Sequence, residues 1–358
     1  MKRAVKLSLK FNTERKKRYI SNLIREYRRV VNCYIDNIWN SNTSKLNKKT
    51  LTLVQNTRLS ERYKSNALKQ ALNICISTKK AAKATKKTAT KPKFNGNPIL
   101  DSKFVNIALN TDISFDIVVR LSTLRKGKRI NLVTKKTKPL NKWLSKQEAK
   151  MLRGCELSEK YITLWIDIPD QENKPGDILA VDQGINKLLT DNLGNKYGTE
   201  FKTIRDKIVK RKPGSKRRQK AFRERDNYLN RVINQLPWNQ ISVLGIEDLK
   251  NLKKGKKKNR SKNFRKAIAP WTYRQVTTRL QHKCQENRVL LVTVDPKYTS
   301  RTCPICNMEH KNNRQGEYFK CIFCGYENDA DVVGALNIFD RTCLLLGSLE
   351  SPICAKGL

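Results

Sequence analysis

Ile178-Leu-Ala-Val-Asp182 reads as a buried strand that ends in a carboxylate. Four apolar residues that favour strands precede an acid placed where the strand leaves the core. Ile241-Ser-Val-Leu-Gly-Ile246 repeats the pattern and runs straight into Glu247-Asp248. Val289 to Val294 is a third strand of this half of the chain. Another acid, Asp331, opens an apolar helical stretch with Val332, Ala335, Leu336 and Ile338. A helix from Trp271 to Asn287 and a second after Pro213-Gly214 complete an α/β pattern.

Taken singly, each acid has an ordinary explanation. A strand-end Asp caps a turn, and Asp331 or Asp329 can cap a helix. Together, three carboxylates from two strand ends and a helix start are what a two-metal phosphodiester nuclease requires. Hard oxygen ligands suit Mg(II), with Mn(II) as an alternative. One ion activates the attacking water and the other stabilises the leaving oxygen. Asp182 is expected to bridge both ions, with Glu247 on one and Asp331 on the other.

Between Glu247 and Asp331 stand Cys303-Pro-Ile-Cys306 and Cys321-Ile-Phe-Cys324, two C-x2-C knuckles fourteen residues apart. Four thiolates at this spacing surround one tetrahedral Zn(II) and leave no open position, so the ion is structural. The other six cysteines, Cys33, Cys75, Cys155, Cys284, Cys343 and Cys354, show no pairing pattern, which suits a reducing compartment. The only histidines are His282 and His310. That is too few for a His-Asn-His nuclease. His310 lies within the ribbon, but four cysteines already fill its site, so it reads as a surface residue.

The 358 residues carry 76 Lys+Arg against 31 Asp+Glu, a net charge of +45. Such an excess calls for a polyanion, and nucleic acid is the default. Acids gathered where phosphates bind would weaken that binding unless a metal lies between them. No apolar run is long enough to span a bilayer, and no signal-peptide pattern occurs. A G-x-x-x-x-G-K-[ST] loop is absent, as is a Ser/His/Asp arrangement, so neither nucleotide hydrolysis nor acyl transfer is indicated.

Met1 to Phe11 alternates like a strand. Ile20, Leu23, Tyr27, Val30, Tyr34, Ile35 and Ile38 form a helical stripe, and a second helix follows Ser60 with Tyr63, Ala67, Ala71, Ile74 and Cys75 on one side. Lys79 to Lys93 is basic and of low complexity, either a linker or a helix end that docks on nucleic acid. Val105–Leu109, Ile117–Leu121, Ile130–Thr134 and Tyr161–Ile168 read as short strands of a small β-barrel or open sheet, which the opening strand joins. Lys250 to Lys266 is a basic loop.

In order, Val181-Asp182-Gln183-Gly184-Ile185, Ile246-Glu247-Asp248-Leu249, Pro296-Lys-Tyr-Thr-Ser-Arg-Thr-Cys303-Pro-Ile-Cys306 and Asp331-Val-Val-Gly-Ala-Leu-Asn337-Ile338 resemble the TnpB family. These are RNA-guided nucleases encoded by insertion sequences, and compact type V CRISPR effectors share their core. The resemblance is specific over about residues 178 to 340 and looser over 1 to 170. It implies a multidomain α/β protein: a RuvC-like RNase H fold (177–300 and 327–340) with an inserted zinc ribbon (301–326). It further implies a wedge-like N-terminal β-barrel (1–11 and 94–176) with an inserted helical recognition domain (12–93), and a tail (341–358). Asp182, Glu247 and Asp331 match the family's catalytic triad. Gln183 stands where the family usually has Leu, and Val333 where it usually has Asn.

The resemblance also implies a guide RNA, double- and single-stranded target DNA beside a short flanking motif, and a cytoplasmic, prokaryotic or phage-encoded protein acting as a monomer or dimer. In such proteins base pairing reads sequence while the protein reads shape and the flanking motif. Tyr27, Arg28, Arg29, Arg120 and Arg125 are candidate contacts, and Trp271 and Tyr273 are candidate stacking platforms or core aromatics. Rival expectations are a CRISPR effector of the same fold, a nuclease-dead RNA-guided repressor, and an integrase-like transposase, against which the ribbon argues.

Overall fold

A computed structural model of the chain describes residues 1–41, 52, 54, 56–110, 114–124, 128–184, 186–249 and 273–347. It divides into two compact units, Met1–Pro169 and Asp170–Leu358.

The first unit runs β1 (Lys2–Ser8), α1 (Glu14–Ser41), α2 (Glu61–Ala84), β2 (Ile99–Asp101), β3 (Val105–Leu109), β4 (Ile117–Ser122), β5 (Arg129–Thr134), α3 (Lys138–Leu144), β6 (Lys150–Leu157) and β7 (Tyr161–Asp167). β1 pairs antiparallel with β7 along its whole length, so the opening strand joins the sheet and the helices are inserted between. Pairing yields two sheets, β1-β7-β6-β2 and β3-β4-β5. Asn12 links them: its amide donates to the Val133 carbonyl at 2.9 Å and accepts from the Val133 N–H at 2.9 Å. Thr134 adds a hydroxyl bond to the Ser8 carbonyl at 3.0 Å.

The helical stripe is the core of this unit. Ile20, Leu23, Tyr27, Val30, Tyr34, Ile35 and Ile38 are all buried, facing Tyr63, Ala67 and Ala71 of α2. Ser60 caps α2 by accepting from the Tyr63 N–H, as its position before the apolar periodicity predicts. β6 escapes the sequence reading. Its register against β7 shifts between Met151 and Cys155, and this irregularity erases the alternation that marks a strand.

The second unit runs β8 (Asp177–Asp182), β9 (Leu189–Asp191), β10 (Lys196–Tyr197), α4 (Phe201–Val209), α5 (Lys216–Ile233), β11 (Ile241–Glu247), α6 (Tyr273–Asn287) and β12 (Leu290–Val294). Three short strands follow, β13 (Arg314–Gln315), β14 (Tyr318–Lys320) and β15 (Glu327–Asp329), then α7 (Ala330–Gly347). The main sheet has the order β10-β9-β8-β11-β12. β8, β11 and β12 are parallel, and β9 and β10 turn back antiparallel.

Both faces of this sheet are covered, which is why its central strands read as continuous apolar runs. Leu179, Val181, Leu244 and Ile246 pack with Tyr228, Leu229 and Val232 of α5 and Val276 and Leu280 of α6. On the other face Ala180 and Val294 meet Ile338 of α7. Gly245 lets α7 approach, because Thr342 occupies the place a Cβ would take.

Two expectations give way to the structure. The basic stretch before Pro213 is helical as well, forming α4, which buries Phe201 and Ile208. α7 does not stop at residue 340 but continues to Gly347, with Thr342 fully buried and its hydroxyl on the Ile338 carbonyl at 2.7 Å. Arg341 marked a boundary in the sequence only because its charge interrupts the apolar pattern. The basic loop 250–266 and residues 348–358 lie outside the described residues.

Candidate active site and zinc ribbon

The parallel strands β8 and β11 are neighbours, so their terminal residues Asp182 and Glu247 emerge together from one edge of the sheet. α7 brings Asp331 to the same edge from its first turn. A Cβ on Gly334, one turn further along α7, would stand 3.0 Å from Asp182 Oδ2. Gly184 is equally confined, since a Cβ there would meet the Lys187 carbonyl at 2.5 Å and Asp331 Oδ2 at 3.8 Å.

All three acids are raised, each chiefly by burial. Burial pushes Asp182 well above the usual carboxylate range, and the charges of Glu247 and Asp331 push it further. Glu247 is raised chiefly by burial, partly opposed by the Thr299 hydroxyl, which donates to its Oε1. Asp331, 8% exposed, is raised by burial and by Asp329. Buried carboxylates gathered at one place with raised pKa values are candidates for a functional site. The donor set is all hard oxygen, which fits Mg(II) or Mn(II). The carboxylates are not a single-ion cage. Among the described residues, the cysteine cluster is the one group of three or more such ligand atoms lying within 4.8 Å of each other.

Residues that the sequence reading did not single out complete the site. Arg314, from β13 of the insert, places Nη2 3.5 Å from Asp331 Oδ1, and its charge lowers all three acids. Thr299, 3% exposed, is itself held from α7. Asn337 Nδ2 donates to the Thr299 carbonyl at 2.7 Å and to the Thr302 carbonyl at 2.8 Å. Against the cost of its burial, Asp329 is held at about 2 by Lys196, the Asp331 N–H and Lys187. Gln183, 6% exposed, donates to Thr277 Oγ1 of α6 at 3.3 Å, and its Oε1 has no partner among the described residues.

Cys303, Cys306, Cys321 and Cys324 converge as expected, all four Sγ within 4.8 Å. Cys303 and Cys324 are 3.6 Å apart and Cys306 and Cys321 3.5 Å. A tetrahedron with Zn–S bonds of about 2.3 Å has edges of about 3.8 Å, so the cluster fits Zn(II) with little adjustment. Asn313 braces it from beneath, donating to the Arg301 carbonyl at 3.0 Å and accepting from the Ile322 N–H at 3.1 Å. His310 stays outside the cluster and accepts the Asn312 N–H. Val333 is buried with Cys303, Phe319, Cys321 and Ala330, so it packs beneath the ribbon.

The expected nucleic-acid contacts are scattered. Tyr27 is 0% exposed in the helical core, its hydroxyl donating to Gln70 at 2.8 Å, so it is a packing residue. Tyr273, 7% exposed, lies in the core beneath the second unit's sheet. Arg28 bonds the Gly96 carbonyl and Asn97, and Arg29 is forked on Glu26. Arg120 is exposed on β4, directly between Asn106 and Asn131 of the adjacent strands. Arg125 and Trp271 lie outside the described residues.

The Cas12f1 chain of a cryo-EM Cas12f1-sgRNA-target DNA complex matches this fold with a TM-score of 0.56 at 16% identity, over 92% of this chain and 82% of that one. The chain therefore has a mixed α/β fold of the Cas12f type. The family model "Cas12f1-like, TNB domain" matches residues 273–338. The TnpB-like protein MJ0751 of Methanocaldococcus jannaschii is 26% identical over 219 residues, 60% of this chain and 77% of that protein. Cas12f1 of Sulfoacidibacillus thermotolerans is 31% identical over 139 residues, 37% of this chain but only 31% of that protein. The chain is thus similar in sequence to TnpB-like proteins and to Cas12f1. No described helix is long and apolar enough to cross a membrane.

Proposed function

We propose that this chain is an RNA-guided, metal-dependent DNA endonuclease of the TnpB type. One observation carries the reading: three acids from β8, β11 and α7 converge at one sheet edge, where Asp182 is raised by burial and by the charges of Glu247 and Asp331, in a protein of net charge +45. The five-stranded sheet, with parallel β8, β11 and β12 and antiparallel β9 and β10, supports a RuvC-type RNase H reading of the second unit. The names of its relatives, which include CRISPR-associated endodeoxyribonucleases, support the activity.

In this reading Asp182, Glu247 and Asp331 hold Mg(II) or Mn(II), which when bound supplies an activated water and stabilises the leaving oxygen. The Thr299 hydroxyl opposes the burial-driven rise of Glu247 and orients its carboxylate. Arg314 meets the scissile phosphate region beside Asp331, where its guanidinium balances anionic charge. Zn(II) on the four cysteines fixes the segment that carries Arg314. The first unit, as wedge and helical recognition domain, grips guide RNA and the DNA flanking the target. A nuclease-dead repressor is not favoured, because Val333 packs beneath the ribbon and all three acids are in place. A type V CRISPR effector would use each of these residues in the same way, so the source of the guide decides between the two.

The test expresses the protein with its native flanking DNA and sequences the RNA that accompanies it. A discrete RNA from the 3′ end of its own gene, with target cleavage abolished by Asp182→Ala and target binding retained, is the expected result. A repeat-derived RNA would make it a CRISPR effector, and wild-type cleavage by Asp182→Ala would remove the site assignment.

A further inference from the structure

α5 is amphipathic in only its second half. Tyr228, Leu229, Val232 and Ile233 bury against the sheet, whereas Ala221 is the one buried residue among its first nine. A helix half that buries so little does not fold for packing alone. Residues 207–224, which span the end of α4, the turn and this half of α5, hold nine Lys or Arg and one acid, Glu224. That acid is already taken by Lys207 at 2.5 Å. The buried arginines of the hairpin are neutralised separately, Arg205 by Asp206 and Arg225 by Asp226. Among the described residues the remaining exposed charge is left uncompensated.

The tip of the hairpin is also fixed. Arg211 Nη1 donates to the Arg217 carbonyl at 3.1 Å, and Arg218 Nη1 to the Arg211 carbonyl at 2.9 Å. Arg218 and Arg225 both lie over the Phe222 ring, at 5.5 and 4.8 Å. Carbonyls and a ring face hold Arg211 and Arg218 without cancelling their charge. Moreover Lys216, Arg217 and Arg218 fill the first turn of α5 with cations, where the helix dipole disfavours them.

We infer that the tip of the α4–α5 hairpin is the anchorage for the sugar-phosphate backbone of a double-helical segment of the guide RNA; this rests on the RNA-guided reading above. The side chains there are nearly all Lys and Arg, which bind phosphate without reading bases. The one aromatic ring is already capped by guanidiniums, so the tip lacks the stacking platforms of a single-strand site. The self-repulsion and the unfavourable helix start operate whenever the tip is bare. They are offset continuously only by a partner that stays bound. In an RNA-guided protein that partner is the guide, while the DNA target comes and goes.

The test compares full-length wild type with Lys210→Gln/Lys212→Gln/Lys216→Gln/Arg217→Gln, four exposed side chains whose loss leaves the hairpin's hydrogen bonds in place. A control removes the same charge from Lys202, Arg274, Arg288 and Lys311, exposed residues of the second unit outside the hairpin tip and the three acids. Two quantities are read: RNA recovered with the purified protein, and affinity for a 20-bp RNA duplex against a 20-bp DNA duplex across salt. The hairpin variant should lose most of the recovered RNA and at least about tenfold in RNA-duplex affinity, with a shallower salt slope. The control and DNA-duplex binding should change less than about twofold. Unchanged RNA in the hairpin variant, or an equal loss in the control or for DNA, overturns the anchorage and leaves the RNA-guided reading standing. Wild type that recovers no RNA overturns both.

Discussion

Asp182 rests against Gly334: the carboxylate that ends β8 occupies the space beside α7 where a side chain would otherwise begin, 3.0 Å from the position of a Cβ. The contact explains a glycine in the middle of a helix. Gly334→Ala should gain helix propensity of about 1 kcal/mol while pushing the carboxylate aside by a few tenths of an ångström. The expected outcome is a melting temperature near that of wild type and a cleavage rate lower by about 10–100-fold. Cleavage at the wild-type rate would show that Asp182 needs no such exact seat.

Thr299 tunes Glu247. Its hydroxyl donates to the ionised carboxylate and opposes the rise caused by burial. Without it the Glu247 carboxyl rises further, and the acid needs a higher pH to ionise. Thr299→Val should therefore move the ascending limb of the cleavage-pH profile to higher pH, and Thr299→Ser should restore it. A rate loss uniform across pH would point instead to simple misplacement.

Gln183 is the residue least well served by its surroundings. Its amide reaches Thr277, but Oε1 is buried without a partner among the described residues. Gln183→Leu should stabilise the second unit by about 1 kcal/mol in urea unfolding, since an unmatched polar atom is replaced by apolar volume. Thr277 is half-buried and can bond to water in the variant.

In the first unit Glu26 binds Arg29, the Thr57 hydroxyl and the Arg58 N–H, and its carboxyl is held down to about 2. A depressed carboxylate contributes stability above its unfolded value of about 4.3 that disappears as pH falls toward the folded value. Glu26→Gln should cost about 1–3 kcal/mol at pH 7. The variant and wild type should converge near pH 2, as followed by urea unfolding at several pH values.

The strand ends bearing Asp182 and Glu247, the start of α7 and the cysteine cluster were legible because each rests on local pattern: apolar runs that stop at an acid, or ligand spacing. The α1 stripe was legible for the same reason. Tyr27 was misjudged as a contact because a tyrosine on an apolar stripe looks the same whether its hydroxyl meets a partner helix or a ligand. Arg314 was hidden by abundance; among 76 basic residues nothing local marks one that faces three acids. Thr299 and Asn337 act through bonds across 52 and 38 residues of sequence, which no window of pattern can reveal.

The ribbon enters and leaves at nearly one place. Asn337 holds the entry at Thr302, and the exit at Ala330 lies seven residues back along the same helix, about 10 Å by helix rise. A module with joined ends behaves as a detachable plug-in. Its length is free to vary so long as the two ends stay closed and Arg314 still reaches Asp331. The spacing between Glu247 and Asp331 is thus set by the length of the insert as well as by α6 and β12, and positions counted from either side of the insert are safer guides than their separation.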